Sequence, residues 1–148
     1  MNLDALKIVL VDDDEDDRTF FKDAIEEVDI KTNLLLFGNG QEFMDYITLP
    51  GQSLPHLVFL DLNMPIKNGI QCLTEIREIP TIKDLLIAIY STSSSDQDIE
   101  DTFIKGANIY INKPNDFKKL KKIIKDVLKL NWQYHTSNLD RESFMLSI

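Results

Sequence analysis

The sequence is poor in cysteine: Cys72 is alone among 148 residues, so no disulfide can form within the chain. Long apolar runs are also missing. The longest, Leu85 to Tyr90, is six residues, against the roughly 20 that a membrane-spanning helix needs. No apolar stretch of signal-peptide length follows Met1, and together with the lone cysteine this leads us to expect a reducing, cytoplasmic setting away from the membrane. Basic charge is scarce as well: 16 Lys and Arg face 25 Asp and Glu, a net charge of −9. That balance repels a phosphate backbone and argues against nucleic acid as a partner. No internal repeat or low-complexity linker divides the chain. Its 43% apolar and 28% charged residues suit one globular domain, which at this length buries roughly two thirds of the surface its unfolded chain exposes.

The acids are unevenly placed. Residues 1–30 hold eleven Asp and Glu and three Lys and Arg, whereas residues 113–129 hold seven Lys and two Asp. Beside these clusters, two hydrophobic periods alternate along the chain. Lys7 to Val11 reads as a strand buried on both faces. From about Glu15 to Val28, Phe20, Phe21, Ala24, Ile25 and Val28 recur at helical spacing behind an acidic first turn. Leu34 to Phe37 predicts a second strand, followed by a helix with Asn39 and Glu42 at N-cap and N3 spacing, closed by Pro50 and Gly51. His56 to Leu60 is the third strand, and Gly69 opens a helix that stops before Pro80. Leu85 to Tyr90 is the fourth strand; Ser95 and Asp98 start a helix that Gly106 ends. Ile109 to Ile111 is the fifth strand, and about Asn115 to Lys129 is the last helix, with Phe117, Leu120, Ile124, Val127 and Leu128 on one face. Five strands alternating with five helices predict an α/β domain with a parallel sheet covered on both sides. The expected domain spans 1–130, and 131–148, with Trp132, Tyr134, His135 and Phe144, is a tail without a pattern.

In an open parallel sheet, ligands bind beyond the carboxyl ends of the strands. The residues there are chemically biased. The first strand ends in Asp12, Asp13 and Asp14, the third in Asp61, the fourth in Ser91 and Thr92, and the fifth in Asn112 and Lys113. Carboxylates gathered with no nearby guanidinium call for a hard cation, and Mg2+, an oxygen-seeking ion that keeps several waters, meets that need. A cation there would also let the Asp61 carboxylate approach a phosphoryl group as nucleophile.

VDDD at 11–14, DLNMP…G at 61–69, Ser91-Thr92, Gly106-Ala107 and Lys113-Pro114 occur in order, and over about Ala5 to Lys129 the chain resembles a bacterial response-regulator receiver domain of the single-domain chemotaxis type. The resemblance implies a flavodoxin-like, doubly wound, five-stranded parallel sheet of order 2-1-3-4-5 with five helices, a three-layer sandwich. It implies Asp61 as phosphoacceptor, with Asp12 and Asp13 as the acid pair, and Mg2+ held by Asp12, Asp13, Asp61 and the main-chain carbonyl of Asn63. Ser91 and Lys113 correspond to the hydroxyl and ammonium that bond the phosphoryl oxygens, and Ser91 with Tyr110 to the switch pair. A cis peptide bond before Pro114 is implied too.

A sensor histidine kinase or histidine phosphotransfer protein would then donate the phosphoryl group. A downstream effector protein would read the altered protein-binding surface, and a homodimer is compatible. The chain would not be an enzyme beyond slow self-dephosphorylation. A small-molecule phosphohydrolase fits less well, because Asp61-Leu62-Asn63 has no second carboxylate two residues on for general-acid work. A phosphorelay shuttle and a phosphorylation-independent interaction module are the alternatives. An EF-hand calcium loop over Asp12 to Asp23 is excluded, since Asp17 stands at the turn-glycine position and a strand precedes it. Cys72 reads as a packed small side chain, and neither His56 nor His135 has a ligand-like companion.

Overall fold

The structure, a computed structural model, describes residues 5–130 and the main chain at 145–146. Strands and helices alternate as β1 (Leu6–Val11), α1 (Glu15–Glu26), β2 (Thr32–Phe37), α2 (Gly40–Ile47), β3 (Leu57–Leu60), α3 (Gly69–Glu78), β4 (Ile87–Ser91), α4 (Asp96–Ile104), β5 (Ile109–Asn112), α5 (Phe117–Leu128) and β6 (Met145–Leu146). All pairings are parallel, in the order β2-β1-β3-β4-β5-β6. The expected 2-1-3-4-5 order is therefore present. A sixth, two-residue strand joins the outer edge of β5 opposite Tyr110 and Ile111. It comes from the patternless tail, whose Trp132, Tyr134, His135 and Phe144 lie outside the described residues.

The continuous apolar runs of β1, β3, β4 and β5 are explained by burial on both faces. Val9, Val11, Val58, Leu60, Ile87 and Ile89 meet Phe43, Met44 and Ile47 of α2, Leu73 and Ile76 of α3 and Ile99 of α4. Their strand neighbours Ile8, Leu10, Phe59, Ala88, Tyr90, Ile109 and Ile111 meet Phe21, Ala24 and Ile25 of α1 and Leu120, Ile123, Ile124 and Val127 of α5. This two-residue alternation gives three layers. Phe21 anchors the second face, edge-on to Phe59 at 4.9 Å and to Tyr90 at 5.5 Å between ring centroids; fully burying such a side chain stabilises by roughly 1.5–3 kcal/mol.

Helix starts follow side-chain caps. Asp14, Asn39, Asn68, Ser95 and Asp116 each accept a hydrogen bond from a main-chain amide of the first turn. The Asp116 cap explains why the last helix begins at Phe117 instead of Asn115. The fourth strand begins at Ile87, two residues later than expected, because the Leu85 carbonyl accepts from Arg77 at 2.7 Å and the Leu85 amide donates to Ile82 in a turn. It runs on to Ser91, which pairs with Asn112. Gly106, with φ of 97°, ends α4 as expected.

Candidate functional site

The carboxyl ends of β1, β3, β4 and β5 bring the expected residues to one rim. The Asp12 amide donates to Phe37 on one side, and the Asp61 amide donates to Val11 at 3.0 Å, so the two acids sit side by side as the strands end. Asp12 is fully buried and Asp61 nearly so, whereas Asp13 is exposed. One carboxylate oxygen from each of Asp12, Asp13 and Asp61 lies within 4.8 Å of the others. The Asp61 carboxylate is oriented by its own loop, with Oδ1 accepting from the Leu62 amide at 2.8 Å. Gly69 lets α3 start against this turn: its amide donates to the Leu62 carbonyl, and a Cβ at 69 would stand 2.3 Å from the Asp61 carbonyl oxygen. Between them, Ile66 takes a φ of 70°, unusual for a β-branched residue, within the tight Pro65-to-Lys67 turn.

Lys113 supplies the one ammonium on these acids among the described residues. Its Nζ lies 2.7 Å from Asp12, 2.9 Å from Asp17 and 3.3 Å from Asp61, and 5.3 Å from the centroid of the Tyr90 ring beneath it. Burial raises the pKa of Asp61 to about 6, against the pull of Lys113 and with a further push from the Asp12 charge. Burial also raises Asp12, although hydrogen bonds from Lys113 and the Asp14 amide oppose it. Burial alone would lower the Lys113 ammonium; its hydrogen bonds to Asp12 and Asp17 and the charges of Asp61 and Asp12 outweigh this and raise it. A single cation thus serves several partly desolvated carboxylates. Their donors are all hard oxygens, and the exposed Asp13 leaves a water-accessible side, so the set fits a small divalent cation that keeps some of its waters.

Ser91 is buried at the end of β4, its Oγ accepting from the Ser93 amide at 3.1 Å. The Tyr110 ring lies fully buried on β5, and its hydroxyl donates to the Ser93 carbonyl at 2.7 Å. Asn112 Nδ2 donates to the same carbonyl at 3.1 Å and to that of Thr92 at 3.3 Å. Ser93 Oγ donates in turn to Asp98 of α4 at 2.6 Å. One short loop therefore links the rim hydroxyl, the Tyr110 phenol and the start of α4.

Two expectations need correction. The peptide bond before Pro114 is trans. Lys113 still reaches the acids, because β5 carries it to the rim with its amide bonded to the Ser91 carbonyl at 2.8 Å and its long side chain spans the remainder. A guanidinium is also close: Arg18, on the second turn of α1, donates to the Asp12 main-chain carbonyl at 2.7 Å, to the backbone and not to the carboxylates. Asp17 as a partner of Lys113, and Tyr90 beneath it, were not foreseen. The available signal for Asp17 was its place at the third helical position after an acid-ended strand. Cys72 is fully buried, and burial pushes its thiol up to about 11, as a packed side chain requires. His56 Nδ1 accepts from the Lys7 amide at 2.9 Å, far from the rim at the other end of β1.

A doubly wound sheet with this acidic rim matches one known group of proteins. The family model described as response regulator receiver domain matches residues 8–125, and the chain belongs to that family. It is 28% identical over 134 residues to the probable methanogenesis regulatory protein FilR2 of Methanothrix harundinacea, covering 87% of this chain and 86% of that one. It is 27% identical over 124 residues to the response regulator Rcp1 of Synechocystis sp., covering 81% and 84%. Similar solved structures include the phosphorylated cyanobacterial phytochrome response regulator RcpA, with a TM-score of 0.76, 30% identity and coverage of 84% of this chain and 91% of that chain. The Mn(2+)-bound form of Rcp1 aligns with a TM-score of 0.74 and 26% identity, covering 82% and 91%. Among the described residues, no helix is long and apolar enough to cross a membrane.

Proposed function

We propose that this receiver domain accepts a phosphoryl group on Asp61 from the phosphohistidine of a sensor histidine kinase or a histidine phosphotransfer protein, and signals to an effector protein through its altered surface. The observation that carries this reading is Asp61 at the end of β3, one carboxylate oxygen held by the Leu62 amide and the other facing Lys113, with the carboxylate grouped beside those of Asp12 and Asp13. The oxygen not held by Leu62 forms the new bond to phosphorus. The phosphorus–nitrogen bond breaks as it does so, and the donor imidazole keeps the electron pair. With a pKa of about 6, Asp61 is mostly ionised at neutral pH and available as nucleophile.

Asp12, Asp13, Asp61 and the Asn63 main-chain carbonyl are the residues that would hold Mg2+. Bound there, Mg2+ would supply positive charge to offset the phosphoryl oxygens. Lys113 balances a second oxygen and the Ser91 hydroxyl donates to a third. Its Oγ can go on accepting from the Ser93 amide while it donates, so a shift of Ser91 toward the phosphoryl group pulls on Ser93, whose carbonyl seats Tyr110 and whose hydroxyl donates to Asp98 of α4. That linkage carries the change from the rim to the α4 and β5 surface. Such chemistry makes the chain a phosphoacceptor and not a turnover enzyme. As the test, acetyl phosphate is supplied with and without Mg2+, and intact masses are taken for the wild type and Asp61→Asn. One phosphoryl group should add to the wild type only with Mg2+ and never to the variant; an adduct that survives Asp61→Asn would overturn the assignment.

A further inference from the structure

Lys113 has three N–H donors, and three carboxylates take them. The shortest contacts go to Asp12 and Asp17, at 2.7 and 2.9 Å, and the longest, 3.3 Å, goes to Asp61. The ammonium is thus held toward α1 and bound only loosely to the acid that would carry the phosphoryl group. Asp17 differs from the other two acids. It sits on the first turn of α1, outside the trio of grouped carboxylates, and its side chain is 38% exposed. Its amide is held independently by the Asp14 cap at 3.1 Å, so its carboxylate is available to the lysine without a structural duty of its own.

Resting on the phosphoacceptor reading, we infer that Asp17 is a positioning residue that parks the Lys113 ammonium on α1 and competes with the phosphoryl group for it. The contact to Asp61 is already the longest of the three, so to close on a phosphoryl oxygen attached there the ammonium must move off one of its two shorter partners. Asp12 is buried beside Asp61 and its contact to Lys113 is the shortest, so the N–H released is the one on the half-exposed Asp17. Phosphorylation then breaks the link between β5 and the first turn of α1, and the strength of that link sets how readily the phosphorylated form is reached. A partly exposed ion pair biases an equilibrium by about two- to fivefold, which is the size of the effect expected.

The test compares wild type, Asp17→Asn, Asp17→Glu and Asp16→Asn, all checked for folding by thermal melting. Two quantities are measured with Mg2+ present: the rate of phosphorylation by acetyl phosphate, and the half-saturating concentration of beryllofluoride, a phosphoryl mimic, followed by NMR. Asp17→Asn should phosphorylate about two- to fivefold faster and bind beryllofluoride tighter by a similar factor. Asp17→Glu, which keeps the carboxylate, should stay near wild type. Asp16→Asn removes the same charge from an exposed neighbour on the same turn and should also stay near wild type. Unchanged or slower reaction in Asp17→Asn overturns the inference, and so does an equal gain in Asp16→Asn, which would reveal a general charge effect. If the wild type itself takes up neither acetyl phosphate's phosphoryl group nor beryllofluoride, the phosphoacceptor reading falls and this inference with it; a reactive wild type with an indifferent Asp17→Asn overturns only the parking role.

Discussion

Replacing Asp61 with asparagine should make the metal-free protein more stable at neutral pH while abolishing its reactivity. A carboxyl whose pKa rises from 3.8 to about 6 on folding holds back about 3 kcal/mol from the folded state once it is ionised. The sign follows from proton counting. Between pH 3.8 and about 6 the folded protein binds more protons at Asp61 than the unfolded chain does, so this residue's contribution falls as pH rises through that window and is level above it. Asparagine has no such charge. Its side-chain oxygen can still accept from the Leu62 amide, and Lys113 keeps its two shorter partners, Asp12 and Asp17. The gain at pH 7.5 should therefore be about 1–3 kcal/mol, or roughly 2–4 °C in melting temperature for each kcal/mol in a chain of this size. Calorimetric melts in EDTA across about pH 4 to pH 8 read it directly: the two proteins should converge near pH 4 and separate above pH 6. A variant that is no more stable than wild type at pH 7.5, or whose advantage is as large at pH 4, would refute the burial argument for Asp61.

Three further outcomes follow from the same rim. Mg2+ at about one hundred times its dissociation constant should stabilise the wild type by about 2.7 kcal/mol, and Asp13→Asn, which removes one of the three grouped carboxylates, should lose most of this in a melt with and without the ion. Lys113→Met leaves the buried Asp12 and Asp61 without their ammonium and should cost about 3–5 kcal/mol in metal-free urea unfolding, a loss that Mg2+ should partly reverse. Gly69→Ala places a Cβ 2.3 Å from the Asp61 carbonyl oxygen; it should destabilise by about 1–3 kcal/mol and slow acetyl phosphate labelling, because the Asp61 turn must shift to admit it.

Much of the fold was legible because the strands are apolar on both faces and the helices on one, two periods that a sequence displays directly. Helix starts at Asn39 and Ser95 were equally plain, since the N-cap side chain and the amide it accepts from are three residues apart. The rim was legible from the rule that strand ends meet at one edge, which places Asp12, Asp13, Asp61, Ser91 and Lys113 together from their positions in the sequence alone. What escaped depends on contacts distant in sequence. Asp16 and Asp17 are identical as letters, and only the phase of α1 against a lysine 96 residues away turns one inward. Arg77 delays β4 by bonding the Leu85 carbonyl and those of Lys83 and Gly106, a tertiary clamp with no local signature. Met145 and Leu146 are too short a pair to display strand alternation, and their pairing is decided by the open edge of β5.

The most direct test of the phosphoacceptor role is to trap the product and locate it. Protein treated with acetyl phosphate and Mg2+ is reduced with borohydride, which converts an aspartyl phosphate to homoserine, then digested and sequenced by mass spectrometry. Homoserine at position 61 and nowhere else is the predicted result. Homoserine at another acid of the rim, or a phosphoryl group that resists reduction because it is carried on a hydroxyl such as that of Ser91, would contradict the assignment of Asp61.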